Sequence, residues 1–254
     1  FKSFSSELFK CFTKSYPCNN ESWKYLNYFG IKKKKFLGNL KFSQNNFKNL
    51  IIPKKLKKFI SDKKFWCATS THEPEEVLCS EVHRNLKKKY TKFLTIIIPR
   101  HVHRCENLIN FFENSGFKIH CHSWSQNINH KTDIYLVDTY GDTNLFFSFN
   151  KIVFVGGSII KHGGQNPLEP ARYGNNIIHG PNVANFKEIY ELLRKLGISK
   201  KVYSVKSLSK TVNKLIKKKP SSSLLTKKIE RIGSQILDST LMEIKLILKR
   251  NEIK

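Results

Sequence analysis

From Phe65 onward, short apolar runs rich in β-branched and aromatic residues alternate with stretches whose apolar residues recur at helical spacing. Strands are predicted at 65–69, 93–98, 118–121, 133–137, 152–155, 176–178 and 202–205. Helices are predicted over 74–89, through Ile109 and Phe112 to a stop near Gly116, in a short segment ending at Asn150, and over 167–173 and 185–196. Several of the strands are continuous apolar runs, the pattern of strands buried on both faces. Such strands alternating with helices predict an α/β domain, a Rossmann-like parallel sheet with helices on both faces. Sheets of this kind bind ligands outside the carboxyl ends of their strands. The segments that follow strands are therefore where chemistry is to be sought.

The flanks read differently. Residues 1–50 hold one strand–turn candidate, at 36–42, and 51–62 form a lysine-rich stretch that reads as a linker into the α/β domain at 63–222. From Leu225 to Leu248, apolar residues recur every three to five positions, predicting one amphipathic C-terminal helix over 223–254 that closes a core.

Composition narrows the class. The 254 residues are 39% hydrophobic and 12% aromatic, too apolar for a disordered chain. No apolar run approaches the ~20 residues that cross a bilayer. The chain starts at Phe1 and its single methionine is Met242, so a segment upstream is expected. Lys and Arg number 46 against 19 Asp and Glu, a formal charge of +27. That balance suits a partner rich in phosphate, either nucleic acid or an anionic membrane surface. The excess is mainly lysine in bursts, such as Lys32 to Lys35 and Lys87 to Lys89, and Asn and Ile are also abundant. Compositional drift on solvated faces explains much of it. Nucleic-acid recognition calls for arginine and aromatics interleaved on one face, or a known module, and neither is present. The six cysteines form no C-x-x-C pair and no zinc spacing, and they read as free thiols of a reducing compartment.

Each candidate motif falls at a strand end. Ser70-Thr71-His72-Glu73 reads as an S-x-x-E capping box opening the next helix, or as a helix start that seats an anion. Pro99-Arg100-His101 sets an arginine where a phosphate would meet it, or where it makes a surface ion pair. In Asp138-Thr139-Tyr140-Gly141-Asp142, the last aspartate is a helix cap or a ligand contact. The densest segment joins Gly156-Gly157-Ser158 to Gly163-Gly164-Gln165-Asn166-Pro167-Leu168-Glu169. Asn166 suits an N-cap and Pro167 the first helical position. Glu169 either closes a capping box or accepts from ribose hydroxyls.

The run VGGSIIKHGGQNPLEPA, Val155 to Ala171, resembles the signature of the transferases of 3-deoxy-D-manno-octulosonic acid (Kdo). Gly38-Asn39-Leu40-Lys41-Phe42, Ser70 to Glu73, Pro99 to His101, Gly180-Pro181 and Asn185-Phe186 agree in the family's order, so the resemblance runs from about Cys11 to the end. It implies a GT-B glycosyltransferase, an enzyme that transfers Kdo from CMP-Kdo to the lipid A precursor, with inversion and without a metal or other cofactor. The sugar nucleotide belongs to the C-terminal Rossmann-like domain. CMP contacts map onto Pro99 and Arg100, onto Tyr140, Gly141 and Asp142, and onto Asn166, Pro167, Leu168 and Glu169; Lys41 maps onto a transition-state stabiliser. The family usually has Met-Gly-Glu at Tyr140-Gly141-Asp142 and His at Gln165. Residues 1–50 correspond to the end of its N-terminal acceptor domain, the rest of which, with the general base and the membrane anchor, is absent from this chain. The implied partners are CMP-Kdo, the lipid A precursor and an anionic membrane surface, with no nucleic acid, at the cytoplasmic face of the bacterial inner membrane. A GT-B enzyme for another nucleotide sugar, a basic nucleic-acid-binding domain and an inactive remnant are the competing readings.

Overall fold

The computed structural model describes residues 2–43, 50–218 and 222–252. The expected domain ends at 50 and 222 border stretches, 44–49 and 219–221, that lie outside the described residues. The chain divides into two compact units, Phe1–Phe47 with Lys227–Lys254, and Lys48–Thr226. Among the described residues no helix is long and apolar enough to cross a membrane.

The smaller unit holds α1 (Lys2–Lys10), α2 (Asn20–Tyr28), a 3-10 turn at Leu40–Ser43 and most of the C-terminal helix (Ser222–Glu252). Asn19 caps α2, its side chain accepting from Ser22 N at 2.7 Å. The strand expected at 36–42 does not form. Gly38 takes a φ of +103°, and the Asn39 side chain accepts from Lys41 N, which turns the backbone into the 3-10 geometry. The C-terminal helix crosses this segment so closely that a Cβ on Gly233 would stand 2.1 Å from the Phe42 carbonyl oxygen. Lower on that helix, Glu243 accepts from Lys14 at 2.8 Å, from Tyr16 at 3.0 Å and from Lys35. The hydrogen bonds from Lys14 and Lys35 hold its carboxyl down at about 2. Ile229, Gly233 and Glu243 form the buried stripe, while Leu241, Ile244 and Leu248 stay exposed, off that stripe. The predicted helix is present, but only part of its apolar face is covered.

The larger unit opens with α3 (Lys54–Ile60), where the sequence reads as a linker. Its lysines are one face only: Leu56, Phe59 and Ile60 are buried, and the Phe59 ring lies 6.2 Å from that of Tyr135. There follow β1 (Lys64–Thr71), α4 (Glu75–Lys87), β2 (Phe93–Pro99), α5 (Cys105–Asn114), β3 (Ile119–Cys121), β4 (Ile134–Leu136), α6 (Thr143–Phe149), β5 (Ile152–Val155), α7 (Leu168–Arg172), β6 (Asn176–His179), α8 (Lys187–Lys195), β7 (Ser199–Lys201) and α9 (Val205–Ile216). The strands make one seven-stranded parallel sheet in the order β3-β4-β2-β1-β5-β6-β7. β2 is buried at every position, as a strand covered on both faces must be. The chain builds outward from β1 on one side, then returns to place β5 on the other, so the strand order reverses between β1 and β5. That switch point is where such sheets open a crevice for a ligand.

Two further expectations change. The last strand is Ser199–Lys201, not 202–205; Val202 N still donates to the His179 carbonyl, but Val205 begins α9. Ser204 accepts from Ser207 N at the start of that helix, and Leu208, Val212 and Leu215 form its buried face. A reciprocal serine cap with helical spacing outweighs the β preference of two valines. The capping box at Ser70–Glu73 also does not form. Ser70 adopts a φ of +53° within a break of register at the end of β1, and α4 starts only after Pro74, without a side-chain cap.

Candidate functional site

The register break at Ser70 re-aims the chain at the carboxyl end of β1, an uncommon backbone state for a residue with a Cβ. Five residues on, the first turn of α4 supplies Glu75, whose carboxylate is buried beneath the crevice. It accepts from Gly157 N at 2.7 Å, Ser158 N at 3.0 Å and Ile159 N at 2.9 Å in the loop after β5, and from His72 N at 3.1 Å. Burial pushes this carboxyl up, and the four backbone N–H groups offset that only in part. Beside it, Glu76 takes a two-point ion pair from Arg104, at 2.8 and 3.3 Å, which fixes the loop after β2.

The glycines of the β5 loop allow this close approach. A Cβ on Gly156 would lie 2.4 Å from the Ser70 carbonyl oxygen, and one on Gly157 would meet both the His72 and the His162 rings. Ser158 accepts from Gly180 N at 2.8 Å through its hydroxyl, and Asn185 N donates to Gly163 O at 3.0 Å. The loop after β6, with Gly180-Pro181 and Asn185, is thus the far wall that holds the β5 loop in place.

Over Gly157 sits a group of histidines. His72 and His162 have ring centres 4.3 Å apart, and His101 lies 5.9 Å from His72. His72 Nδ1 lies 3.0 Å from the Ser70 carbonyl oxygen, so that nitrogen carries the proton. Its Nε2 is buried and has no hydrogen-bond partner among the described residues. Burial, reinforced by His162, lowers the His72 pKa and favours the neutral ring.

The sequence-predicted residues of this unit lie on the same edge of the sheet. Pro99 ends β2 and pairs with Thr71, and Arg100, exposed, donates its backbone N–H to Thr71 O at 3.0 Å. Tyr140 (78% exposed), Gly141 and Asp142 follow β4; the Asp142 carboxylate accepts from Thr139 Oγ1 at 2.5 Å and lies 3.7 Å from His122 Nε2. It makes no side-chain cap to α6. After β5, Asn166 Oδ1 accepts from Leu168 N at 3.1 Å, and Pro167 stands at the cap position, one residue before the helix proper. The exposed Glu169 carboxylate accepts from Asn166 Nδ2 at 3.2 Å, and closes no box with the backbone. Lys41 belongs to the smaller unit, in its 3-10 turn. Among the described residues no group of three or more His, Cys, Asp or Glu is placed to hold a metal ion. Sequence reasoning missed Glu75: a buried acid in a first helical turn reads as an ordinary dipole-favoured residue.

The fold is that of the C-terminal domain of GT-B glycosyltransferases. It is similar to the crystal structure of the C-terminal CMP-Kdo binding domain of WaaA from Acinetobacter baumannii, with a TM-score of 0.59 at 23% identity, covering 72% of this chain and 93% of that one. No family model matches the sequence. The 3-deoxy-D-manno-octulosonic acid transferase of Haemophilus influenzae is 31% identical over 221 residues, 85% of this chain and 50% of that protein. That of Rickettsia prowazekii is 30% identical over 256 residues, 97% of this chain and 55% of that protein. The chain belongs to the Kdo transferase family and spans about half the length of these curated relatives.

Proposed function

We propose that the larger unit binds the CMP moiety of CMP-Kdo, and that the chain is the donor-binding part of an enzyme that transfers Kdo to the lipid A precursor in lipopolysaccharide synthesis. The observation that carries this reading is the convergence of Arg100, Tyr140 to Asp142 and Asn166 to Glu169 on the carboxyl edge of neighbouring parallel strands, in a member of the Kdo transferase family. Arg100 meets the phosphate, and Glu169, held by Asn166, accepts from the ribose hydroxyls. As the sugar leaves, negative charge grows on the CMP phosphate. Arg100 and the backbone N–H groups of helix starts meet that charge, which dispenses with a metal ion in an inverting transfer. One preorganised donor of this kind is typically worth about 3–4 kcal/mol. The enzyme works peripherally at the cytoplasmic face of the bacterial inner membrane.

Calorimetric titration of the chain with CMP and with UDP tests the reading. CMP is expected to bind at least tenfold more tightly. Equal affinity, or preference for UDP, overturns it in favour of another nucleotide sugar.

A further inference from the structure

In a parallel sheet every strand starts at the same pole, so residues just before the strands converge there. Ahead of β1 to β4 those residues include lysines. Lys63 and Lys92 immediately precede β1 and β2, while Lys118 and Lys131 lie just before β3 and β4. Lys87 ends α4, and Lys55 and Lys58 come in from α3. Together they line an open cavity of about 1020 Å³ at the amino ends of the strands, the opposite end from the crevice described above. Seven of its fifteen lining residues are lysine, against 46 Lys and Arg in all 254 residues. Drift on solvated faces scatters charge; it does not gather it in one concavity.

The cavity's own carboxylates are already engaged. Asp62 pairs with Lys92 at 2.6 Å, and Asp133 with Lys87 at 2.8 Å. Lys63 donates to the His130 carbonyl at 2.6 Å. Its pKa is pushed down, first by burial and then by Lys87 and Lys92. Among the described residues no carboxylate lies within ion-pair distance of the ammonium groups of Lys55, Lys58, Lys118 or Lys131. Ammonium groups brought this close repel one another unless an anion sits among them. A compact, strongly hydrated ammonium suits phosphate as a point charge.

We propose that this lysine-lined cavity at the amino-terminal pole of the sheet is a second anion site, for a compact ligand carrying several phosphate groups. It is independent of the CMP reading and uses none of its residues. The phosphates come either from a free polyphosphate or from clustered lipid headgroups, and two probes separate these sources. Inorganic tripolyphosphate is titrated calorimetrically at fixed ionic strength, and vesicles of pure phosphatidylglycerol are tested by flotation. Four versions of the full chain are compared: the parent; a triple variant Lys58→Gln, Lys118→Gln, Lys131→Gln; a charge-matched control on the exposed face of α9, Lys206→Gln, Lys210→Gln, Lys214→Gln; and Arg100→Ala. All the substituted lysines are exposed, so the variants are expected to fold. The cavity triple is expected to weaken at least one of the two probes by tenfold or more, with the α9 control and Arg100→Ala within threefold of the parent. Loss with tripolyphosphate assigns a free polyphosphate, and loss with vesicles alone assigns headgroups. No binding of either probe by the parent, equal weakening by the two triples, or loss on Arg100→Ala overturns the proposal.

Discussion

Glu75 Oε2 lies 2.7 Å from Gly157 N, which joins the first turn of α4 to the loop after β5 across 82 positions of sequence. The same carboxylate takes Ser158 N and Ile159 N, so one buried acid anchors both sides of the crevice at the switch between β1 and β5. Glu75→Gln replaces one accepting oxygen with an NH₂ group that faces backbone N–H groups. It is expected to destabilise the fold by about 1.5–3 kcal/mol, the range for hydrogen bonds to a charged group. Denaturant unfolding measures this, and a change below about 0.5 kcal/mol would show that the loop has another anchor.

Stability should fall in mild acid. Burial lowers the His179 pKa to about 4, against the opposing hydrogen bond from its ring to the Gly180 carbonyl. The unfolded chain takes up a proton near pH 6.5 while the folded one does not, so stability is full above that pH and is lost as pH falls toward 4. For His179 alone the loss is about 2 kcal/mol at pH 5. His72, His83 and His120 are shifted in the same direction by burial. Denaturant curves at pH 7 and pH 5 for the parent and His179→Asn should show a smaller pH effect in the variant. An identical pH effect in both would contradict the assignment.

Glu169 discriminates a ligand contact from a helix cap. Its carboxylate receives the Asn166 amide, while Asn166 itself serves the first backbone N–H of α7. Glu169→Gln is therefore expected to weaken CMP binding about tenfold while the ligand-free protein melts within a degree or two of the parent. A fall in melting temperature with unchanged affinity would make the residue structural.

The legible parts of this molecule are those set by local pattern. The apolar runs at 93–98 and 152–155 announce β2 and β5, and the glycine- and proline-bearing segments after them mark the edge that carries Arg100 and Glu169. What stayed hidden depends on distant partners. Glu75 is buried because three N–H groups from another loop meet it, and nothing near it in sequence says so. The helix α3 hides behind its lysines because its buried residues are three in seven. Ser70 looks like a cap because S-x-x-E is a helix-start spacing, yet the register break at the end of β1 claims it first. Val202 and Val205 look like one strand, but the Ser204–Ser207 cap divides them between ladder and helix.

The central claim, that the strand-end crevice holds a cytidine monophosphate by its phosphate, rests most directly on Arg100. A ligand that binds only the folded state raises its stability by about 2.7 kcal/mol at a hundred times its dissociation constant. The melting temperature of the parent chain and of Arg100→Ala is therefore to be measured with and without saturating CMP. The account predicts a clear rise for the parent and loss of most of that rise in the variant, the two proteins melting alike without ligand, because Arg100 is exposed. An undiminished CMP-induced rise in Arg100→Ala would contradict it.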